Sequence, residues 1–253
     1  MTQTQSNHLI LDFSHVYCDE NIPRNDKLHW IHCSDIHECD LYCSDAAAAE
    51  IHRRIDPHGT RGIHFLDSGN YHYMSKLLLG LEKEDLFLAV FDHHTDMQPP
   101  ALLPVLSCGS WIRDAAGAYQ NIKGICVIGP PEASVRETEA MEHVWFVTQE
   151  ELDDGSGAAK IKEIFASHAG TLPVYLSVDK DILSKEELDT NWDQGNVRVD
   201  ELLSLAKDCL AGRKVLAVDL CGEPSANAPE AECSAASLVN QKLYGALAAK
   251  IED

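Results

Sequence analysis

The sequence predicts an α/β fold built on a largely parallel sheet, on three observations. Apolar β-branched runs alternate with helical patterns along most of the chain, as in repeated βαβ units. The 253 residues are 45% hydrophobic, enough to bury the core of one large α/β domain. Three of the apolar runs end in acids or imidazoles, and sites in parallel α/β sheets assemble at the carboxyl ends of strands.

In chain order, HLILDF (8–13) opens as a strand and is followed by a helix from Ser44 to Ile55, with Ser44 as its N-cap. RGIHFLD (61–67) is the second strand, and Tyr71 to Leu79 the second helix. LFLAVFD (86–92), a helix from Trp111 to Tyr119, GICVIG (124–129) and VWFVT (144–148) come next. A helix from Gly157 to His168, strand PVYLSVD (173–179), helix Val199 to Ala211, strand KVLAVDL (214–220) and helix Ala235 to Ile251 complete the chain. Pro130 to Glu142 is polar, and Asp189 to Asn196 reads as a long loop near a site. No repeat or linker interrupts this order, so residues 1–253 are expected to form one domain.

The net charge of −21 argues against a nucleic-acid partner, which needs clustered Lys and Arg, and against an acidic membrane surface. The N-terminus lacks a basic, then apolar leader, and no run reaches transmembrane length. A cytoplasmic protein is the expectation. Nine cysteines, an odd number, fit reduced thiols better than a disulfide framework. His32, Cys33, His37, Cys39 and Cys43 invite a structural zinc. Their irregular spacing without a C-x-x-C pair reads rather as ordinary loop and strand residues.

The strand ends carry the chemistry. RGIHFLD leads into Ser68-Gly69-Asn70-Tyr71-His72, LFLAVFD into Asp92-His93-His94-Thr95-Asp96, and PVYLSVD into Asp179-Lys180-Asp181. Asp92, His94 and Asp96 are two apart, so an extended chain would aim them at one point and turn His93 away. Four carboxylates brought together raise one another's pKa unless cations intervene. Hard oxygen ligands with two imidazoles suit manganese or a related divalent ion such as Fe2+, Co2+ or Zn2+, and six ligands are enough for two ions. Such a pair lowers the pKa of a shared water to about 7 and so supplies a nucleophile.

In this order and spacing the motifs resemble the ureohydrolase (arginase/agmatinase) superfamily from about Ile63 to Pro224. The resemblance implies a three-layer α/β/α fold around an eight-stranded, mostly parallel sheet and a dimanganese centre. It implies that His72, Asp92, Asp96 and Asp179 hold one manganese, and Asp92, His94, Asp179 and Asp181 the other. Where the family carries a His-Gly pair, this chain reads Cys108-Gly109, leaving Cys108 as a proton shuttle or a small buried hydrophobe. The last motif, Asp219-Leu220-Cys221-Gly222-Glu223-Pro224, places its Glu one position late. Glu223 is thus a candidate grip for a cationic substrate group, or a loop acid. Trp111 and Trp192 either line a pocket or pack.

The function expected is metal-dependent hydrolysis of a non-peptide C–N bond, at a guanidino or amidino carbon, with Asp96 orienting the nucleophile. The substrate would be a cationic small molecule or the arginine side chain of a peptide, and homo-oligomerisation is left open. A deacetylase-like amide hydrolase and an inactive metal-containing binding protein are the alternatives.

Overall fold

A computed structural model describes residues 7–17, 22, 27–99 and 105–251. The chain runs through β1 (His8–Asp12), β2 (Leu28–His32), β3 (Tyr42–Cys43), α1 (Asp45–Ile55), β4 (Ile63–Phe65), α2 (Met74–Leu79) and β5 (Leu86–Phe91). It continues through β6 (Leu106–Ser107), α3 (Trp111–Ala118), β7 (Ile122–Ile128), α4 (Glu132–Glu137), β8 (Val144–Val147) and α5 (Gln149–Asp153). The last elements are α6 (Gly157–Ile164), β9 (Val174–Asp179), α7 (Val199–Leu210), β10 (Val215–Cys221) and α8 (Glu230–Ile251).

Eight strands form one parallel sheet in the order β2-β1-β4-β10-β9-β5-β7-β8. The short β3 and β6 pair separately as an antiparallel ribbon. Strands β5, β9 and β10 are buried along their whole length, as strands with both faces covered must be. Along β5, Phe87, Ala89 and Phe91 join one apolar cluster, with residues of α6, α7 and α8. Leu86, Leu88 and Val90 join the other, with residues of α1, α2 and α3. That alternation makes the sheet the middle of three layers, the α/β/α architecture expected.

The differences from the sequence reading are local. Strand β2 was not expected: His29 and His32 break its apolar pattern, and it pairs at the sheet edge, half-buried from Leu28 to Trp30, buried at Ile31 and exposed at His32. Helices α4 and α5 are short and charged, so they lack a long apolar stripe. The α5 start is nonetheless encoded by a capping box, Thr148 with Glu151. The predicted helix from Tyr71 opens as a tight turn over Gly69–Tyr71 before α2 begins at Met74. Helix α8 starts at Glu230, ahead of the predicted Ala235, because Glu230 and Glu232 suit a first turn. Among the described residues no helix is long and apolar enough to cross a membrane.

Candidate metal centre

The carboxyl ends of β4, β5 and β9 lie on the same edge of the sheet, and all six expected ligands are found there. Asp179 is the last residue of β9 and caps the turn that follows, accepting from the Asp181 amide at 3.1 Å. Asp92 follows β5 directly. His72 closes the turn after β4.

Asp92, His94 and Asp96 converge by a different route from the expected strand alternation. The strand stops at Phe91. The His94 amide donates to Asp92 Oδ1 at 2.6 Å, and Asp96 adopts a left-handed φ of 48°. A turn of this kind suits aspartate, whose short side chain bonds its own backbone. The turn, not extension, aims the three side chains inward.

Two groups of three side chains bring one ligand atom each within 4.8 Å of one another: His72, Asp92 and Asp179, and Asp92, His94 and Asp181. Asp92 belongs to both. His72 Nδ1 lies 3.1 Å from Asp92 Oδ2, 3.0 Å from Asp96 Oδ2 and 3.4 Å from Asp179 Oδ2. His94 Nδ1 lies 2.8 Å from Asp181 Oδ2 and 3.5 Å from Asp92 Oδ1. The other nitrogen of His72, Nε2, is 2.9 Å from Ser177 Oγ, which Ser75 meets at 3.0 Å. Those contacts fix the ring so that Nδ1 faces the carboxylates. Trp111 Nε1 donates to Asp96 Oδ2 at 2.6 Å.

The donor set fits divalent ions. His72 Nδ1 and Asp92 Oδ2 are buried yet lack any aligned hydrogen bond, and buried polar atoms are nearly always satisfied. Burial, with Asp92 next, pushes Asp96 up to about 7. Burial also raises Asp179, with Asp92 adding, and raises Asp181, with Asp179 and Asp92 adding. At Asp92 burial is outweighed by His72 and His94, which hold the carboxyl low. At His94 burial is outweighed by Asp181 and Asp92, which lift it to about 12. His72 is raised against burial by Asp92 and Asp96. Carboxylates this crowded call for countercharge, and bound divalent cations would supply it.

The ligands floor a cavity of about 400 Å³, whose walls include Tyr42, Gln98, Cys108, Glu137 and Trp192. Cys108 is therefore at the site. Burial, with Asp96 next, pushes its thiol up to about 12, so it stands there protonated and apolar. Trp192 lines the wall, its ring 5.5 Å from that of His94, and its Nε1 donates to Asn70 Oδ1 at 2.9 Å. Trp111 is fully buried behind His72, with ring centroids 4.9 Å apart.

Glu223 is not brought to the cavity. It is buried and ion-paired with Lys180 Nζ, and it accepts from Asn240 Nδ2 at 2.9 Å, so its charge is spent inside the fold. His93 belongs to neither ligand group and does not line the cavity, as expected. Asp219 is fully buried, accepting from Tyr175 Oη at 2.9 Å and lying 2.7 Å from His64 Nδ1. At the suspected zinc cluster Cys33, Cys39 and Cys43 are buried thiols raised by that burial, whereas His32 is exposed. Among the described residues they form no metal-holding group.

Sequence reasoning takes in Ser177 and Lys180 as part of the last strand-end motif without giving either a role, and it misses Asn240. Lys180 had a legible signal, a lysine between two ligands at the end of an apolar strand. Asn240 had none, since only the packing of α8 brings it there.

Comparison with known proteins places the fold and the family. The family model of the arginase family matches residues 21–235. An uncharacterized protein of Thermotoga maritima is 29% identical over 215 residues, which is 85% of this chain and 79% of that protein. Proclavaminate amidino hydrolase from Streptomyces clavuligerus superposes with a TM-score of 0.69 at 13% identity, covering 98% of this chain and 92% of that one. Arginase from Bacillus cereus gives 0.67 at 14% identity, covering 96% and 98%. Trypanosoma cruzi formiminoglutamase, solved with Mn2+, gives 0.63 at 12% identity, covering 95% and 94%. At these identities the structural likeness is one of fold, and it is the match over residues 21–235 that shows the chain to be a member of the arginase family.

Proposed function

We propose that this protein is a dimanganese-dependent hydrolase that cleaves a guanidino or amidino C–N bond and releases urea or ammonia. One observation carries the reading: two ligand groups sharing Asp92 floor a cavity whose described walls contain no Lys or Arg. The relatives named an amidino hydrolase, an arginase and a formiminoglutamase support it.

Two divalent ions, once bound, supply a Lewis acid and an activated water. His72, Asp92, Asp96 and Asp179 would hold one, and Asp92, His94, Asp179 and Asp181 the other. Asp96 lines the cavity, and Trp111 engages one of its oxygens. The other oxygen is left to accept a hydrogen bond from the attacking water and hold its lone pair toward the substrate carbon. Asp96 then holds the proton that the leaving amine needs. Cys108, protonated, forms wall rather than shuttle.

The walls also select the substrate. Apart from the ligands, Glu137 is the charged residue among the described lining. A cationic head is attracted, and a neutral or amine-bearing tail, a peptide chain included, leaves no charge unpaired. A free carboxylate on the tail would find no cation among the described walls.

The test is mass spectrometry of manganese-loaded and metal-stripped protein with guanidino, amidino, formimino and acetylated amines, arginine peptides among them. Metal-dependent release of urea or ammonia is expected. Deacetylation alone would replace this reading with an amide hydrolase. Two bound ions with no turnover across the panel would replace it with a binding protein.

A further inference from the structure

Lys180 stands between the ligands Asp179 and Asp181 and is completely buried, a position lysine rarely takes unless paired. Its Nζ is paired with Glu223 and donates to Asn240 Oδ1 at 2.9 Å. Asn240 Nδ2 in turn donates to Glu223 Oε1 at 2.9 Å. The three side chains close a ring drawn from the turn after β9, the segment after β10, and α8. None of them lines the cavity.

The segment after β10 also presses on a ligand directly. Gly222 has a φ of 85°, and a Cβ there would lie 2.3 Å from Asp179 Oδ1 and 2.7 Å from the Lys180 amide nitrogen. The amides of Gly222 and Glu223 both donate to Asp67 O, at 3.0 and 3.1 Å, so this backbone is itself pinned. Lys180 therefore ties a turn carrying two candidate ligands to a segment that is hydrogen-bonded to the backbone after β4.

Such a ring is poorly explained by stability. Desolvating a lysine and a glutamate offsets most of their attraction, and apolar replacement of both partners is often neutral. What the ring does provide is direction. Asp179 and Asp181 repel each other at a buried turn, and pinning the residue between them holds both carboxylates toward the cavity.

We propose that Lys180, Glu223 and Asn240 are positioning residues that aim Asp179 and Asp181, and so set the affinity and geometry of both ions without touching either. The inference rests on the two-ion reading above. Mn2+ binding by calorimetry and low-temperature EPR should be compared in the wild type, Lys180→Met, Asn240→Ala and the charge-free double variant Lys180→Met/Glu223→Met. Loss of support around metal ligands typically weakens binding about 10–100-fold, and a loss of that order, with an altered two-ion EPR signal, is expected in each. The double variant should regain thermal stability lost by Lys180→Met without regaining affinity. Should the single Lys180 variant fail to fold, the double variant and Asn240→Ala carry the test. Folded variants that bind two Mn2+ with wild-type affinity and signal would overturn the proposal. A wild type that binds no Mn2+ would instead overturn the two-ion reading itself.

Discussion

Asp92 enters both ligand groups, whereas Asp181 enters one, so the two positions separate the ions. Asp92→Asn should leave no manganese bound. Asp181→Asn should keep the ion held by His72, Asp92 and Asp179, and elemental analysis of dialysed protein reads the difference. The titration of these residues sets a second expectation. Asp96 loses its proton near 3.8 when unfolded and near 7 when folded, so its ionisation costs stability increasingly between those values. His94, lifted to about 12, stabilises the fold below its unfolded pKa of 6.5, and that contribution fades as pH rises. Asp92, shifted down, is ionised in both states above its unfolded pKa and adds no slope. Metal-stripped protein should therefore melt at lower temperature at pH of about 8 than at about 6, and Mn2+ should raise the melting temperature more at the higher pH. Scanning fluorimetry at the two values, with and without Mn2+, measures both effects. The six candidate ligands were legible because acids and imidazoles close several apolar strands in one order, a joint pattern harder to reach by chance than any single motif. Glu223 reads in the sequence as a substrate grip or a loop acid, and nothing there shows that a buried lysine already claims it.

At the scale of elements, the two-residue spacing of Asp92, His94 and Asp96 foretold convergence for a reason the fold does not use. The turn closed by the His94 amide on Asp92, with left-handed Asp96 in it, does the aiming, and sequence periodicity is blind to such local turns. The central strands were plain because both their faces are covered. Edge strand β2 was not, because solvent relaxes the demand for apolar side chains. The segment after β10 carries the sharpest prediction. Gly222→Ala must place a Cβ against Asp179 in a left-handed conformation, which alone costs about 1–2 kcal/mol. Calorimetric Mn2+ affinity should fall together with the melting temperature, whereas Gly212→Ala, also left-handed but with open space around its Cβ, should lower only the melting temperature.

For the molecule as a whole, the formal charge is −21, which on the proposed function would draw a cationic substrate toward the protein. Electrostatic steering of a cationic substrate should weaken as salt shortens the screening length from about 14 Å to about 4 Å. Stopped-flow or steady-state kcat/KM for such a substrate should fall across that range, and for a neutral analogue stay level. The order of the sheet has a further consequence, for how the protein is made. All six candidate ligands precede residue 182, yet β10 is the strand that joins β4 to β9. A ribosome that has released every ligand has still not released the strand that brings His72 alongside Asp179. On the two-ion reading, metal loading would then belong after synthesis, when Val215–Cys221 slots into the gap. A chain ending at Leu210 would carry the complete ligand set and should bind Mn2+ no better than an unfolded peptide, as equilibrium dialysis would reveal.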